Sequence, residues 1–171
     1  MRKDSIKCCC IGQRAQAFAS GYRDKTHIFH QKYLQTLEKA IESHVQNGIR
    51  HFVCGASSET ALDFAEIVLK MRDKCPDLQL EIDLAFQYQH VIFSPANQLR
   101  YQQILRCADT LLYLFNHQDF CNKAQHDFYM VDNSLYVIAI WNGLQDSELY
   151  HTITYAREQG KQVEVIHLSN I

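Results

Sequence analysis

A glycine, two serines and a glutamate lie between a short apolar run and a helical pattern near residue 55. The run Arg50–Cys54 is β-prone and ends at Gly55, and Ser57, Ser58 and Glu59 follow at the start of a segment with helical apolar spacing. A strand, a sharp loop and a helix in this order present backbone N–H groups and a positive helix end to an anion. Glu59 places a carboxylate close to the position that such an anion would occupy. The sequence therefore predicts the frame of an anion site that already carries an acid.

The same residues also have structural explanations. Ser57 or Ser58 is a typical helix N-cap, and Glu59 in the first turn interacts favourably with the helix dipole. Asp63 lies four residues after Glu59 on the same helix face, and Glu66 is the remaining acid of the segment. Paired carboxylates perform acid–base chemistry only beside a positioned partner, so a solvated helix face is the competing interpretation.

The loop after the first predicted strand holds a second group of candidates. Gly12 follows that strand directly and allows the backbone to approach a ligand closely, and Arg14 is suited to clamp a phosphate or carboxylate. The competing interpretation is a surface loop with a solvated arginine. His27 and His30 have a spacing that fits two metal ligands on a helix, but no third ligand is evident, so we expect no metal site.

Two further loops contain residues that suit recognition of a flat ring. Residues 86–93 read FQYQHVIF, and Tyr88 is the central aromatic side chain of this cluster. Such a cluster either stacks on a base or packs in a core or subunit contact. Asn142 and Gly143 follow the fifth predicted strand, and an Asn-Gly pair is first of all typical of a turn. A ligand-binding loop is the second interpretation of this pair.

Composition bounds the function classes. The 171 residues suit a single domain, and 47% apolar with 21% charged residues is ordinary for a soluble globular protein. The net charge of −2 and pI near 6.5 argue against a nucleic-acid footprint. We expect no membrane span and no signal peptide, and therefore a cytoplasmic protein. The seven cysteines are an odd number without a CxxC motif, and we expect them to be reduced and to pack as small apolar residues.

Strand and helix patterns alternate along the whole chain. This alternation predicts a Rossmann-like, doubly wound α/β fold with a mainly parallel sheet of five to six strands and helices on both faces. The predicted strands are Ile6–Ile11, Arg50–Cys54, Leu78–Leu84, Thr110–Phe115, Leu135–Trp141 and Gln162–His167. The predicted helices are Gln31–Asn47, Ser58–Lys74, Ala96–Cys107, Asn122–Val131 and Ser147–Gln159.

The near-continuous apolar strands 110–115 and 135–141 predict central positions covered on both faces. Ligands of such sheets bind at the carboxyl ends of the strands, which directs attention to loops 12–30, 55–58, 85–95, 116–121 and 142–147. The six glycines lie at least seven residues apart, so a glycine-rich phosphate loop is absent.

Four segments carry a family resemblance. They are CCCIGQRAQAFASGY, HFVCGASSETALDFAEIVL, YMVDNSLYVIAIWNG and TYAREQGKQVEVI, which span nearly the whole chain. The chain resembles the SLOG superfamily of Rossmann-like proteins, in its YpsA-like branch of small bacterial proteins. The positions that match the family pattern are Gly12, Arg14, Gly21, Tyr22, Gly55, Ala65 and Glu66.

The departures from the family pattern concentrate at the ligand loops. Gln13 and Ala15 replace a histidine and a proline, while Glu59 and Ala61 stand where the pattern has a glycine and an aspartate. The residues before the YMVD run are His126, Asp127 and Phe128 instead of basic and amide residues, and Leu144–Leu149 replaces a glycine pair and threonine. Framework segments thus match while the ligand loops differ.

The resemblance implies binding of a nucleotide-derived ligand, and in some relatives release of a base from a nucleotide. The leading hypothesis is a non-catalytic binding or sensor protein for such a molecule. One alternative is a degenerate SLOG paralogue that acts as a protein-interaction module. A second is a nucleotide N-glycosidase, phosphoribohydrolase-like, with Glu66 as acid or base. A homodimer is expected, with Trp141 and residues 86–93 as candidate contacts, and no cofactor beyond a nucleotide-like ligand.

Overall fold

The computed structural model describes residues 6–13, 27–115 and 122–171. Its strands are β1 (Lys7–Gly12), β2 (His51–Cys54), β3 (Gln79–Leu84), β4 (Thr110–Tyr113), β5 (Tyr136–Trp141) and β6 (Gln162–His167). Its helices are α1 (Ile28–Gln46), α2 (Glu59–Met71), α3 (Pro95–Cys107), α4 (Lys123–Asp132) and α5 (Glu148–Glu158). Short 3-10 helices cover Gln89–Ile92 and Leu168–Asn170. All six strands and five helices lie within a few residues of the sequence prediction.

The six strands form one sheet in the order β4-β3-β2-β1-β5-β6. Every neighbouring pair is parallel, and Cys9 of β1 stands in register with Val53 of β2 and Val137 of β5. The chain moves outward from β1 through β2 and β3 to β4, then returns to the other side of β1 to form β5 and β6. The doubly wound parallel α/β fold is therefore confirmed.

Side-chain alternation along the strands divides the core into two layers. Cys8, Cys10 and Phe52 belong to the larger layer, which helices α1 to α3 cover. Cys9 and Val137 face the opposite way and pack against α4 and α5. Helices consequently cover both faces of the sheet, as the sequence predicted.

The cysteines behave largely as the sequence predicts. Cys8, Cys9, Cys10 and Cys54 are free thiols in the buried strands, and burial raises the pKa of Cys9 and Cys54 to about 12. These thiols stay protonated and pack as small apolar groups. Cys75 and Cys107 are also free but lie at partly buried and exposed positions, and Cys121 is outside the described residues.

The central position expected for strand 110–115 is wrong. Among the strands that the structure describes, β4 pairs only with β3 and forms one edge of the sheet. Leu111 is 38% and Tyr113 54% exposed, so this apolar strand is not covered on both faces. An apolar strand is buried on both faces only when neighbouring helices and strands pack against it. The expectation for 135–141 is confirmed, because the four middle residues of β5 are buried between β1 and β6.

Helix α1 begins three residues before its predicted start. The imidazole of His27 accepts a hydrogen bond from the backbone N–H of Phe29 at 3.2 Å and caps the helix. Histidine is a rare cap residue, so position 27 carries no ordinary signal for a helix start. His30, the second histidine of the His27–His30 pair, is buried edge-on against the ring of Tyr33. None of the helices in the described ranges is long and apolar enough to cross a bilayer.

Candidate functional site

The strand order places a switch point at β1. The chain leaves the carboxyl end of β1 toward β2, whereas β5 lies on the other side of β1. Loops that follow β1 and β5 therefore diverge, and open α/β sheets bind ligands in the crevice between such loops. Gly12, Asn142 and Gly143 stand at this edge of the sheet, and Ser57 and Glu59 border it from the start of α2.

Gln13 ties the two sides of the switch point together. Its backbone N–H donates to the carbonyl of Ile140 at 3.2 Å, and its side-chain oxygen accepts from the backbone N–H of Asn142 at 2.9 Å. The side chain is almost fully buried. Gln13 thus sets the spacing between the ends of β1 and β5, where the family pattern has a histidine.

The first turn of α2 packs directly on Gly12. A Cβ atom at position 12 would overlap the hydroxyl of Thr60 and lie 3.2 Å from its Cβ. That hydroxyl donates to the Gln13 carbonyl at 3.1 Å and lies 2.9 Å from the Ser58 hydroxyl. Ser58 also accepts from the N–H of Ala61 and is the helix cap. Glycine at position 12 is therefore required by helix packing, independently of any ligand.

Gly55 meets a different side chain. A Cβ atom there would overlap the imidazole of His126, whose Nε2 would be 2.8 Å away. The same Nε2 donates to the backbone carbonyl of Asp83 at 2.5 Å, and burial lowers the pKa of His126. His126 is consequently a neutral ring wedged between the ends of β2 and β3. The space beside Gly55 is filled by the protein itself.

A buried carboxamide holds the loop that follows Gly55. Gln89 accepts from the N–H of Ala85 at 2.8 Å and donates to the carbonyls of Gly55 and Ala56, at 2.8 and 3.2 Å. Ala56 has a φ of +47°, in the left-handed region that non-glycine residues rarely adopt. The two hydrogen bonds from Gln89 stabilise this strained backbone, so the entry to α2 is held rigidly by the loop after β3.

An acid pair on β3 lies next to this region. Glu81 accepts hydrogen bonds from Lys7 and His51, and these outweigh burial and hold its pKa at about 2. Asp83 is 1% exposed, and its carboxylate oxygens have no hydrogen-bond partner within the described residues. Burial, followed by the nearby charge of Glu81, raises the pKa of Asp83 to about 7. At a pH near 7, the Asp83 carboxyl group is therefore protonated in a substantial fraction of the molecules.

Glu66 lies away from the switch point. It follows Glu59 by seven residues, or about 10 Å along the α2 axis. Both of its oxygens accept from the Arg100 guanidinium at 2.8 Å, and Asp63 accepts from the same group at 2.6 Å. These contacts give Glu66 a structural role at the α2–α3 interface. Its role in ligand binding stays a prediction.

The predicted ring-binding aromatics separate into two sets. Phe93 and His90 pack on Tyr101 of α3, with ring centroids 6.2 and 5.2 Å away, and Phe93 belongs to the core. Tyr88 is 63% exposed on the loop after β3. After β5, Trp141 stacks on Tyr150 at 5.5 Å. Tyr88 is thus the accessible aromatic group of the predicted cluster.

The turn after β5 is shaped by β6. Gly143 has a φ of +93°, and a Cβ atom there would lie 2.6 Å from the ring of His167. The side-chain oxygen of Asn142 accepts from the N–H of Leu144 at 3.1 Å. Both the positive φ and the closeness of His167 therefore require glycine at position 143. The turn thus borders the switch point with a conformation that β6 helps to determine.

Comparison with known families agrees with this architecture. Residues 16–171 match the YpsA family model, described as the YspA SLOG family. The chain belongs to the SLOG family. No curated protein gives a significant match to the chain. The resemblance drawn from the four sequence segments is thus confirmed.

In this SLOG protein, the changed residues of the ligand loops serve structural contacts. Gln13 joins β1 to β5 and His126 fills the space beside Gly55, while Ala61 donates to the Ser58 cap. Sequence reasoning noted these three only as departures from the family pattern. It missed Thr60, Asp83 and Gln89. Their only sequence signal was a polar residue within an apolar pattern, which does not identify a partner.

Some predicted site residues are not described by the structure. Arg14 and most of loop 12–30 lie outside the described residues, as does loop 116–121. Arg14 stays a prediction as an anion ligand. Of the described candidates, Gly12, Gly55, Ser57, Ser58, Glu59, Asn142 and Gly143 lie at the carboxyl edge of the sheet, whereas Glu66 and Tyr88 lie farther along their own elements. In the ranges described, no three His, Cys, Asp or Glu side chains are grouped to hold a metal ion.

Proposed function

We propose that this SLOG protein binds a nucleotide-derived small molecule at the carboxyl ends of β1 and β5 and does not transform it. The observation that carries the proposal is the switch point itself, where the start of α2 and the Asn142–Gly143 turn face each other across the end of β1. We define the switch-point site as Gly12, Ser57, Glu59, Asn142 and Gly143. Rigid walls held by Gln13 and Gln89 support a preformed site rather than one assembled on binding.

Glu59 decides which end of the ligand faces α2. Its carboxylate lies in the first turn of the helix, and a phosphate in the same place would be repelled by it. Ribose hydroxyl groups are hydrogen-bond donors and suit a carboxylate acceptor. We therefore assign the nucleoside part of the ligand to α2, and any phosphate to Arg14, the anion ligand that the sequence predicts.

Binding without catalysis is favoured by the state of the candidate acids. Glu66 is held by both of its oxygens to Arg100, and Asp63 shares that guanidinium. A glycosidase needs an acid or base that reaches the scissile bond, and both oxygens of Glu66 are already occupied by the Arg100 guanidinium. The interaction-module alternative lacks a comparable observation at this site.

A thermal-shift screen with ADP-ribose, NAD, AMP and adenosine at millimolar concentration tests the proposal. A ligand at about one hundred times its Kd adds roughly 2.7 kcal/mol to stability, which gives a clear rise in Tm. Glu59→Gln is expected to abolish the rise, since the amide loses the charged acceptor. Glu158→Gln, an equal charge change at the exposed far end of α5, is the control. No Tm rise with any of the four compounds contradicts the proposal.

A further inference from the structure

Within residues 6–13, 27–115 and 122–171, strand β6 forms one edge of the sheet. The N–H of Gln162 donates to the carbonyl of Leu135 at 3.0 Å, and the pairing with β5 continues through alternate residues. In a parallel ladder the intervening residues turn their N–H and C=O groups away from the partner strand. Val163 and Val165 therefore direct these groups outward, where the described ranges supply no partner. An edge of this kind is a template for another strand.

A groove of about 510 Å³ runs beside this edge. One wall is the second half of β6, with the 3-10 turn that follows it, and the other is a single face of α1. The α1 face consists of Lys32, Gln35, Thr36 and Lys39, which recur at helical spacing. Both lysines are exposed, and neither forms an ion pair with an acid in the described part of the chain. The groove is thus open, polar and positive on its helical side.

We propose that β6 and the lysine face of α1 together dock an extended, acidic segment of a partner protein, which adds a seventh strand to the sheet. Main-chain hydrogen bonds to Val163 and Val165 would supply the pairing, as in other cases of strand addition. Side chains of an added strand alternate between the two faces. Those on the α1 side meet Lys32 and Lys39, so carboxylates fit there, whereas those on the α5 side continue the apolar rows of Val163 and Val165.

Charge distinguishes this occupant from a second copy of the chain. A symmetric dimer through β6 would pair the two strands antiparallel and bring the two α1 faces toward each other. Lys32 of one copy would then approach Lys39 of the other, and like charges repel. Glu164 also lines the groove from the β6 side, where it is half exposed and lies 3.2 Å from the His44 ring. Lys32 and Lys39 outnumber this acidic side chain of the groove by two to one. An acidic partner meets the lysines without this repulsion.

Fluorescence anisotropy with two designed peptides tests the proposal on the full chain. The probe is an acetylated and amidated decapeptide of alternating valine and glutamate, and its counterpart alternates valine and lysine. The glutamate peptide is expected to bind and the lysine peptide not to bind. Lys32→Glu with Lys39→Glu should weaken binding of the glutamate peptide roughly fivefold or more, while Lys74→Glu on the surface after α2 leaves it unchanged.

A backbone variant separates strand addition from simple charge attraction. Val165→Pro removes an outward N–H, and edge strands accept proline where the N–H faces away from the ladder. Loss of peptide binding with an unchanged circular dichroism spectrum supports the proposal. Equal binding of both peptides, or no binding of either, overturns the proposal. Unchanged peptide binding by a folded Val165→Pro variant also overturns it. Self-association that Val165→Pro abolishes assigns the edge to a second copy and also overturns it. None of these outcomes depends on nucleotide binding at the switch-point site.

Discussion

The imidazole of His126 fills the space that any side chain at position 55 would occupy. An added Cβ would lie 2.8 Å from Nε2, the atom that donates to the Asp83 carbonyl. Gly55 has no positive φ, so its backbone conformation does not itself require glycine. The steric relationship of Gly55 with His126 joins β2 to α4 and closes part of the carboxyl edge of the sheet.

Gly55→Ala is therefore expected to destabilise the protein by about 1–3 kcal/mol, since the methyl group must displace a buried, hydrogen-bonded ring. The measurement is urea unfolding of Gly55→Ala, His126→Ala and the double variant. The double variant should recover part of the loss, because removing the ring makes room for the methyl group. Strictly additive effects would contradict the steric relationship.

Asp83 predicts a pH dependence of stability. Its pKa in the folded protein is about 7, raised above the unfolded value near 3.9, so the folded state binds more protons between these values. Stability from this group is fully present below pH 4 and is lost as pH rises through 7. The loss is on the order of 2–4 kcal/mol, since one pKa unit corresponds to about 1.4 kcal/mol.

Asp83→Asn should remove this decline, and its advantage over the unmodified protein should grow from pH 5 to pH 8. The free energy of unfolding, measured at several pH values in urea, checks the slope. Asp146→Asn, at an exposed position, is the control and should keep the decline. Because Glu81 titrates near pH 2, it does not contribute in this window. Equal slopes for Asp83→Asn and the unmodified chain would refute the assignment.

The Arg100 cluster predicts different effects for its members. Arg100→Ala leaves the buried Asp63 carboxylate without its cation and should cost about 3–5 kcal/mol. Glu66→Gln removes the more exposed partner and should cost about 1 kcal/mol or less. We expect Glu66→Gln to keep the nucleotide-induced rise in Tm. Free base released from AMP by the unmodified protein, but not by Glu66→Gln, would instead support the glycosidase hypothesis.

Arg14 is expected to recognise phosphate. Arg14→Ala should weaken binding of AMP roughly tenfold while leaving adenosine unchanged, since a charged hydrogen bond contributes about 1.5–3 kcal/mol. Titration calorimetry with both compounds measures the difference. Arg106→Ala, on the exposed last turn of α3, is the charge control. Equal losses for AMP and adenosine would assign Arg14 a structural role.

Local patterns predicted the elements because each pattern depends on residues close in sequence. The helical period after Ser58 and the uncharged run 135–141 both identified their elements correctly. Patterns with long-range causes were less informative. The strand at 110–115 looked central but lies at an edge, since the order of strands depends on which helices cross which face. α1 began early because His27 replaced an ordinary cap.

The sequence by itself determined the fold class and the family, and it directed attention to the carboxyl edge of the sheet as the place of the proposed site. Strand–helix alternation and the position of Gly12, Gly55 and Asn142 carry that information locally. Only the tertiary structure decided which side chains fill that edge. Gln13, Thr60, Gln89 and His126 contact residues 33 to 129 positions away in sequence. Such contacts form only when the parallel strands bring their carboxyl ends together, so a local sequence pattern does not predict them.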